Sequence, residues 1–215
     1  MFIDHIKNTV PALRDRIRAS RIDPKNRAAF GAAAPVHGQA IRVATTEVTT
    51  EVKGGPGRAL SGVVLQGDWD IGQTPLTKNS KIAYCLQHWV EGKTWEESGA
   101  YELLQKLIAE KGSADNCRTH HDVVNRYARL DTIMEQVKSS GGLEPSSEMR
   151  PGSFRECGGI LIHIDREGRP VFGGGGHHRL AIAMSLGLGD FPAQLGAVHP
   201  NGLDALARFA GDNNT

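Results

Sequence analysis

The sequence offers no stretch approaching the ~20 apolar residues needed to span a bilayer, and no excess of charge of either sign. Lys and Arg number 25 against 24 Asp and Glu, a formal charge of +1. No global field therefore draws the chain to nucleic acid or to an anionic surface, and any charged partner has to be met by a local patch. Cysteine is scarce: Cys85, Cys117 and Cys157 are far apart and form no CxxC pair. That spacing supports neither a disulfide framework nor a zinc ribbon, and free thiols in a reducing compartment are the expectation. The opening residues, MFIDHIKNTVPALRDRIR, carry charge throughout and lack the apolar centre of a secretory leader. With 39% hydrophobic and 23% charged residues, the composition is that of an ordinary soluble protein. A cytoplasmic location and no membrane partner are expected.

What is present divides into three stretches. Ile6, Val10, Leu13 and Ile17 recur at helical spacing, predicting an amphipathic helix over residues 4–19 with an irregularity at Pro11. Residues 20–40 have no clear period and read as a linker or arm, so 1–40 forms an N-terminal helix and arm. IRVATTEV (Ile41 to Val48) predicts a strand, KGGPGRA (Lys53 to Ala59) a loop, and Leu60 to Leu65 a second strand running into Gly67-Asp68-Trp69-Asp70. Three helices are predicted next, within a helical insertion at about 70–140. One covers Ser80 to Val90. Another starts at a Thr94/Glu97 capping box and stops at Gly112; the last carries Val123, Tyr127, Leu130, Met134 and Val137 to a stop at Gly141-Gly142. In the final third, Gly158 to Asp165 and Pro170 to Gly173 predict a hairpin, followed by a helix over His177 to Leu186 and a strand over Phe191 to Val198. A short helix near Leu203 to Phe209 and a polar tail make up 200–215. The order indicates an α+β (mixed α/β) fold whose main domain spans 41–199.

The most informative segment is GGGGHHRLAIAMSL, Gly173 to Leu186. Consecutive glycines let the backbone curl with its N–H groups inward, and the following helix adds unpaired first-turn donors and a positive dipole end. Arg179 falls in that first turn, where a guanidinium can fork onto phosphate oxygens. His177 and His178 can donate hydrogen bonds or move protons near neutral pH. Gly173, Gly174, Gly175, Gly176, His177, His178 and Arg179 are thus the candidate phosphate-binding residues. No GxxxxGK[ST] occurs, so the segment is not a P-loop.

VFGGGGHHRLAIAMSLGLGDFPAQLGAVH resembles the core of the ParB/sulfiredoxin superfamily. Gly176, His178 and Arg179 match its G-x-[HR]-R loop, and Phe191-Pro192-Ala193 its short terminal strand. Arg129 to Leu143 is similar to the helix before the family's hairpin. Gly67 to Asp70 and Glu91 to Tyr101 resemble an insertion of a ParB-like subgroup, so the resemblance covers about Ile41 to His199. It implies a ParB/sulfiredoxin-like core of a small sheet with helices. It also implies a nucleotide partner, CTP or ATP with Mg²⁺, and either NTP hydrolysis or phosphoryl transfer to a small molecule. Sulfiredoxins place a cysteine directly before the His-Arg of the loop, whereas this chain has His177 there, so reductase chemistry is not expected. Only Pro200 to Thr215 follow His199, and a helix-turn-helix DNA module is not expected either.

Carboxylates complete the candidate set. Glu144 and Glu148 follow the Gly141-Gly142 stop, in the stretch that the resemblance brings toward the loop. Glu144, with His178, is the candidate catalytic residue, as a base or a Mg²⁺ ligand. Asp68 and Asp70 flank Trp69 and are the candidate metal ligands, with turn-forming aspartates as the plainer reading. His163 inside LIHID reads as a buried, satisfied histidine. An alternative function is a non-catalytic nucleic-acid- or protein-binding module. Arg14, Arg16, Arg18, Arg21, Lys25 and Arg27 give the N-terminal arm a local positive excess suited to loose, salt-dependent phosphate contact. The sequence leaves the oligomeric state open.

Overall fold

A computed structural model describes residues 2–210, with side chains described from residue 10 onward. The first position of the expected apolar stripe, Ile6, and the polar tail after Ala210 lie outside the described side chains and residues. The fold is mixed α+β, with helices and one six-stranded mixed sheet. The chain forms two compact units. Among the described residues, the first comprises 2–76, 144–176 and 189–210, and the second 77–143 and 177–188. The second unit therefore takes the helix after the glycine run together with residues 77–143. No helix among the described residues is long and apolar enough to cross a membrane.

The first unit holds α1 (Phe2–Phe30), β1 (Ala40–Ala44), β2 (Thr50–Glu51), β3 (Thr74–Pro75), α5 (Ser146–Met149), β4 (Ile160–Ile164), β5 (Pro170–Phe172) and β6 (Asp190–Val198). The strand order is β1-β6-β4-β5-β2-β3. Inner strand β6 is buried from Phe191 to Val198 and β4 along its whole length, which explains their near-continuous apolar character. β6 nevertheless carries Pro192. It pairs antiparallel with β1 so that Thr45 and Gly189, and Gln39 and Leu195, form hydrogen-bonded pairs. Arg42↔Pro192 then falls on a non-hydrogen-bonded pair, and the ladder with β4 begins only at Ala193. A residue without an N–H costs nothing there. The β4–β5 hairpin expected at REGR is tied by Asp165, whose Oδ1 accepts from the Glu167 and Arg169 amides at 3.0 and 2.8 Å.

Two expectations for this unit change. Leu60 to Leu65 is not a strand: Arg58–Leu60 form a 3₁₀ turn and Val64 makes a lone parallel bridge to Val198. The N-terminal helix does not stop near residue 19 but continues to Phe30 through Pro24. Its apolar stripe points outward, with Val10, Leu13 and Ile17 exposed. The face that docks is polar and small. Ala19 and Asn26 are buried, the Asn26 amide donates to the Pro35 and Gly62 carbonyls at 2.7 and 2.6 Å, and Asp23 accepts from the His37 amide at 2.8 Å. Periodicity found the helix, but backbone acceptors in residues 35–62 decide which face is used.

The second unit holds α2 (Ser80–Trp89), α3 (Ala100–Lys111), α4 (His120–Ser140) and α6 (His177–Leu186). Asn79 caps α2 by accepting from the Ile82 amide, Thr119 and Asp122 form a capping box on α4, and Gly112 and Gly141 end α3 and α4 in the left-handed region. The Thr94/Glu97 box forms too, with Glu97 accepting from the Thr94 amide at 2.8 Å. It closes a turn, however, and α3 begins only at Ala100.

Aromatic residues fill the centre of this unit. Trp95 stacks on His88 with ring centroids 3.9 Å apart and tilts against Tyr127 at 4.7 Å, and Tyr127 is fully buried. Their polar edges converge on Asp131 of α4. Trp89 Nε1 donates to Oδ1 at 3.0 Å, Trp95 Nε1 to Oδ2 at 2.9 Å, and His88 Nε2 lies 3.1 Å from Oδ1. One carboxylate thus satisfies two indoles and orients three rings. Asp131→Ala should therefore lower stability by about 1–3 kcal/mol, read as a lower urea midpoint with an altered tryptophan emission. An unchanged midpoint would show that water replaces the carboxylate at no cost.

Candidate functional site

The glycine run leaves β5 and is first held by the sheet. The Gly173 amide donates to the Leu161 carbonyl at 2.8 Å and the Gly175 carbonyl accepts from the Leu161 amide at 2.9 Å. Gly174 and Gly176 adopt φ of +78° and +88°, a conformation glycine takes without penalty. At Gly176 a side chain is excluded twice, because a methyl would also come within 2.9 Å of Ile160 Cα. The amides of Gly174, Gly175 and Gly176 have no hydrogen-bond partner among the described residues. Gly174 is exposed and Gly175 and Gly176 are half-buried, so these donors are left to solvent or to a ligand.

Beside them lies a cation that sequence reasoning missed. A methyl on Gly175 would sit 2.8 Å from the Arg58 Cζ, so the guanidinium lies directly on this glycine. Arg58 comes from the loop KGGPGRA and is held by neutral acceptors only: the Gln194 side chain at 2.5 Å and the Gly159 carbonyl at 2.6 Å. The same Gln194 oxygen accepts from the Gly158 amide at 3.0 Å. Neither Arg58 nor Arg150 is ion-paired with a carboxylate among the described residues. Burial, and next the neighbouring Arg150 guanidinium, push the Arg58 pKa down from its ordinary value. Cys157, Asp15 and Glu156 act the other way on Arg58 without pairing it, so the guanidinium stands beside the glycine amides with its charge offset in part, and an anion there would pair it.

Behind the loop stands His163, fully buried in β4 as expected, but not fully satisfied, since its Nε2 has no hydrogen-bond partner among the described residues. Its Nδ1 accepts from the Ala197 amide at 2.9 Å, which places the ring hydrogen on Nε2, and the Trp69 ring packs edge-on at 5.4 Å. Burial pushes its pKa down to about 4. The ring fills the space above Gly173 and Gly196, where any side chain would collide with it.

The remaining candidates fall elsewhere. Asp68 and Asp70 come together, but on Arg166. The Arg166 amide and Nε donate to Asp70 Oδ2 at 2.8 and 2.9 Å, and Nη2 reaches Asp70 Oδ1 at 2.7 Å and Asp68 Oδ1 at 2.8 Å. The Arg166 hydrogen bonds hold the Asp70 carboxyl down at about 2. With both oxygens engaged by one guanidinium, Asp70 does not fit a Mg²⁺ ligand, and its geometry is that of a buried salt bridge closing a turn. Glu144 is exposed, just ahead of α5.

His177, His178 and Arg179 form the first turn of α6, within the second unit. His178 Nε2 is buried with no partner among the described residues, and the ring meets Tyr127 edge-on at 6.4 Å. Burial first, and then Arg126, lower its pKa to about 4, with Asp115 acting the other way. The expectation of a histidine poised near neutral pH changes accordingly: His178 is a neutral imidazole at pH 7. Nearby, Lys81 donates to Asp115 at 2.6 Å, and Asp115 stays below its ordinary pKa through that pair although burial acts upward.

Two histidines held neutral by burial make stability depend on pH in a defined direction. Their folded pKa lies below the unfolded one, so the native chain binds fewer protons. The contribution is complete above pH 6.5 and is lost as pH falls toward 4. For fully buried His163 the loss by pH 5 is about 2 kcal/mol. The urea midpoint should thus drop between pH 7 and 5, where ordinary carboxylates stay ionised, and His178→Gln should flatten the drop. A flat parent profile would contradict both neutral rings. Comparison with protein-family models, with curated proteins and with solved structures finds no match to this chain.

Proposed function

We propose that the chain binds a nucleotide through its phosphates at the Gly173–Gly176 loop, CTP or ATP with Mg²⁺ carried on the phosphate oxygens. The observation that supports this most is the set of three partnerless amides at Gly174, Gly175 and Gly176 beside an Arg58 guanidinium that has no carboxylate. A phosphate oxygen is the acceptor that satisfies amides and guanidinium together, as charge-assisted hydrogen bonds. The resemblance of Gly176, His178 and Arg179 to the ParB/sulfiredoxin loop supplies the choice of a nucleotide over a simple anion.

Hydrolysis, or transfer of the phosphoryl group to a small molecule, is the second part of the proposal. It needs a carboxylate to orient the attacking oxygen or complete the Mg²⁺ shell. Glu144, the carboxylate that the resemblance brings toward the loop, is assigned that part, while Asp70 is engaged on both oxygens by Arg166. Each charge-assisted hydrogen bond contributes about 1.5–3 kcal/mol, so Arg58→Ala should weaken nucleotide binding about 10- to 100-fold in calorimetry, with Arg179→Ala measured in parallel. Glu144→Gln should retain affinity and lose turnover. Absence of nucleotide binding by the parent chain, or Arg58→Ala binding as tightly as the parent, would overturn the reading.

A second reading has its own observation. Arg14, Arg21, Lys25 and Arg27 of α1 are exposed and make no ion pair among the described residues. This basic row, rather than the loop, would contact nucleic-acid phosphates in a non-catalytic module. Replacing Arg14, Arg21 and Arg27 with Gln should then reduce duplex binding and flatten its dependence on salt; equal binding at two salt concentrations would dismiss it.

A further inference from the structure

Three side chains from distant stretches of the first unit converge: Asp15 of α1, His37 ahead of β1, and Cys157 ahead of β4. A carboxylate oxygen of Asp15, Nε2 or Nδ1 of His37 and Sγ of Cys157 all lie within 4.8 Å of one another, the one such trio among the described residues. His37 is fully buried, and its Nδ1 is 3.1 Å from the Ser61 carbonyl. A carbonyl only accepts, so the ring hydrogen of the neutral imidazole is on Nδ1. Nε2 then turns its lone pair toward the Asp15 carboxylate, 3.1 Å away. Two lone-pair groups facing each other at that distance repel unless a cation or proton lies between them.

We propose that Asp15, His37 and Cys157 bind a divalent transition-metal ion of the zinc class, with a fourth position open. The donor set of one thiolate, one imidazole and one carboxylate suits a borderline-soft ion and not Mg²⁺ or Ca²⁺, which take all-oxygen shells. Three protein ligands with an open position are the pattern of a reactive zinc rather than a closed structural one. The ligand-to-metal lengths of about 2.0–2.3 Å ask the trio to contract by a modest amount around the ion.

The surroundings are built to hold these atoms. The His37 Nδ1–carbonyl contact is the kind of partner that fixes the tautomer and aim of a metal-bound histidine. Ser61, whose carbonyl supplies it, is itself buried and pinned, its hydroxyl donating to the Leu195 carbonyl and accepting from the Gly38 amide at 3.0 Å. At Gly38 a methyl would come within 2.6 Å of the Cys157 sulfur, so the backbone there leaves the thiol its space. Arg18 donates to Asp15 Oδ1 at 2.9 Å and steadies the carboxylate. The Asp15 side chain retains 16% exposure, which gives an ion a way in. The site shares no ligand with the glycine loop, although Arg58 acts electrostatically on both Asp15 and Cys157, so metal binding is read directly and not through nucleotide affinity.

The test uses the full chain, stripped with a chelator and titrated with Co²⁺ and then Zn²⁺. The expected result is a single equivalent of Co²⁺ with a thiolate-to-cobalt charge-transfer band. Zn²⁺ should abolish the band, Cys157→Ser should lose it, His37→Gln should weaken it, and Cys117→Ser should leave it intact. A second measurement needs no variant: Zn²⁺ should slow alkylation of Cys157 in the parent, read peptide by peptide by mass spectrometry. A parent without the band, a band that survives Cys157→Ser, or Cys157 alkylation indifferent to Zn²⁺ would overturn the proposal.

Discussion

The first unit is organised around a histidine used as backbone. Between Ile162 and Ile164 the β4–β6 register slips by one residue, and at that slip the His163 side chain takes over the acceptor role that a strand carbonyl would have had, receiving the Ala197 amide. A bulge normally leaves a donor unpaired in the sheet; here an imidazole lone pair satisfies it. The ring must therefore be neutral, must carry its hydrogen on Nε2, and must fit where Gly173 and Gly196 provide no side chain. The start of the glycine run is thus shaped from behind by the core. Its first glycine serves packing, while the amides of the next three have no hydrogen-bond partner among the described residues.

In front of the run the organising group is Gln194. Its single oxygen accepts from both Gly158 and Arg58, and it is buried in the middle of the sheet. Residues far apart in sequence, 58, 158 and 175, are brought to one place by an amide that carries no charge. A carboxylate at position 194 would pair with Arg58. The neutral amide positions the guanidinium without pairing its charge.

Much of the fold was legible because its signals are local. Glycines in the left-handed region end α3 and α4 where the sequence places them, and the strands, hairpin and helix of the last third follow from periodicity within a few residues. The misreadings share one cause, a decision made by atoms distant in sequence. Val10, Leu13 and Ile17 predict a buried face, but carbonyls at 35 and 62 and the amide of residue 37 give the docking face of α1 to Asn26 and Asp23 instead. Thr94 and Glu97 form their box, yet a turn intervenes before α3. Asp70 has the flanking pattern of a metal ligand, and its engagement by Arg166, nearly a hundred residues on, leaves no trace in the local sequence. Arg58 carried no signal at all, since both its acceptors lie more than a hundred residues away. The glycine run was legible as a loop with donors, but the tautomer and charge of the histidines around it were not, because burial sets them.

The Asp131 cluster has a practical corollary. Of the three tryptophans, Trp89 and Trp95 share that carboxylate in the second unit, whereas Trp69 in the first donates to the Leu65 carbonyl and touches His163. Indole emission responds to the charge and hydrogen bonding around it, so the two units carry separate intrinsic labels. Replacing Trp69 by Phe leaves a chain that reports on the helical unit alone, and replacing the other pair leaves one that reports on the sheet. Whether the two units melt together or one after the other is then readable from the protein's own fluorescence, with no added probe.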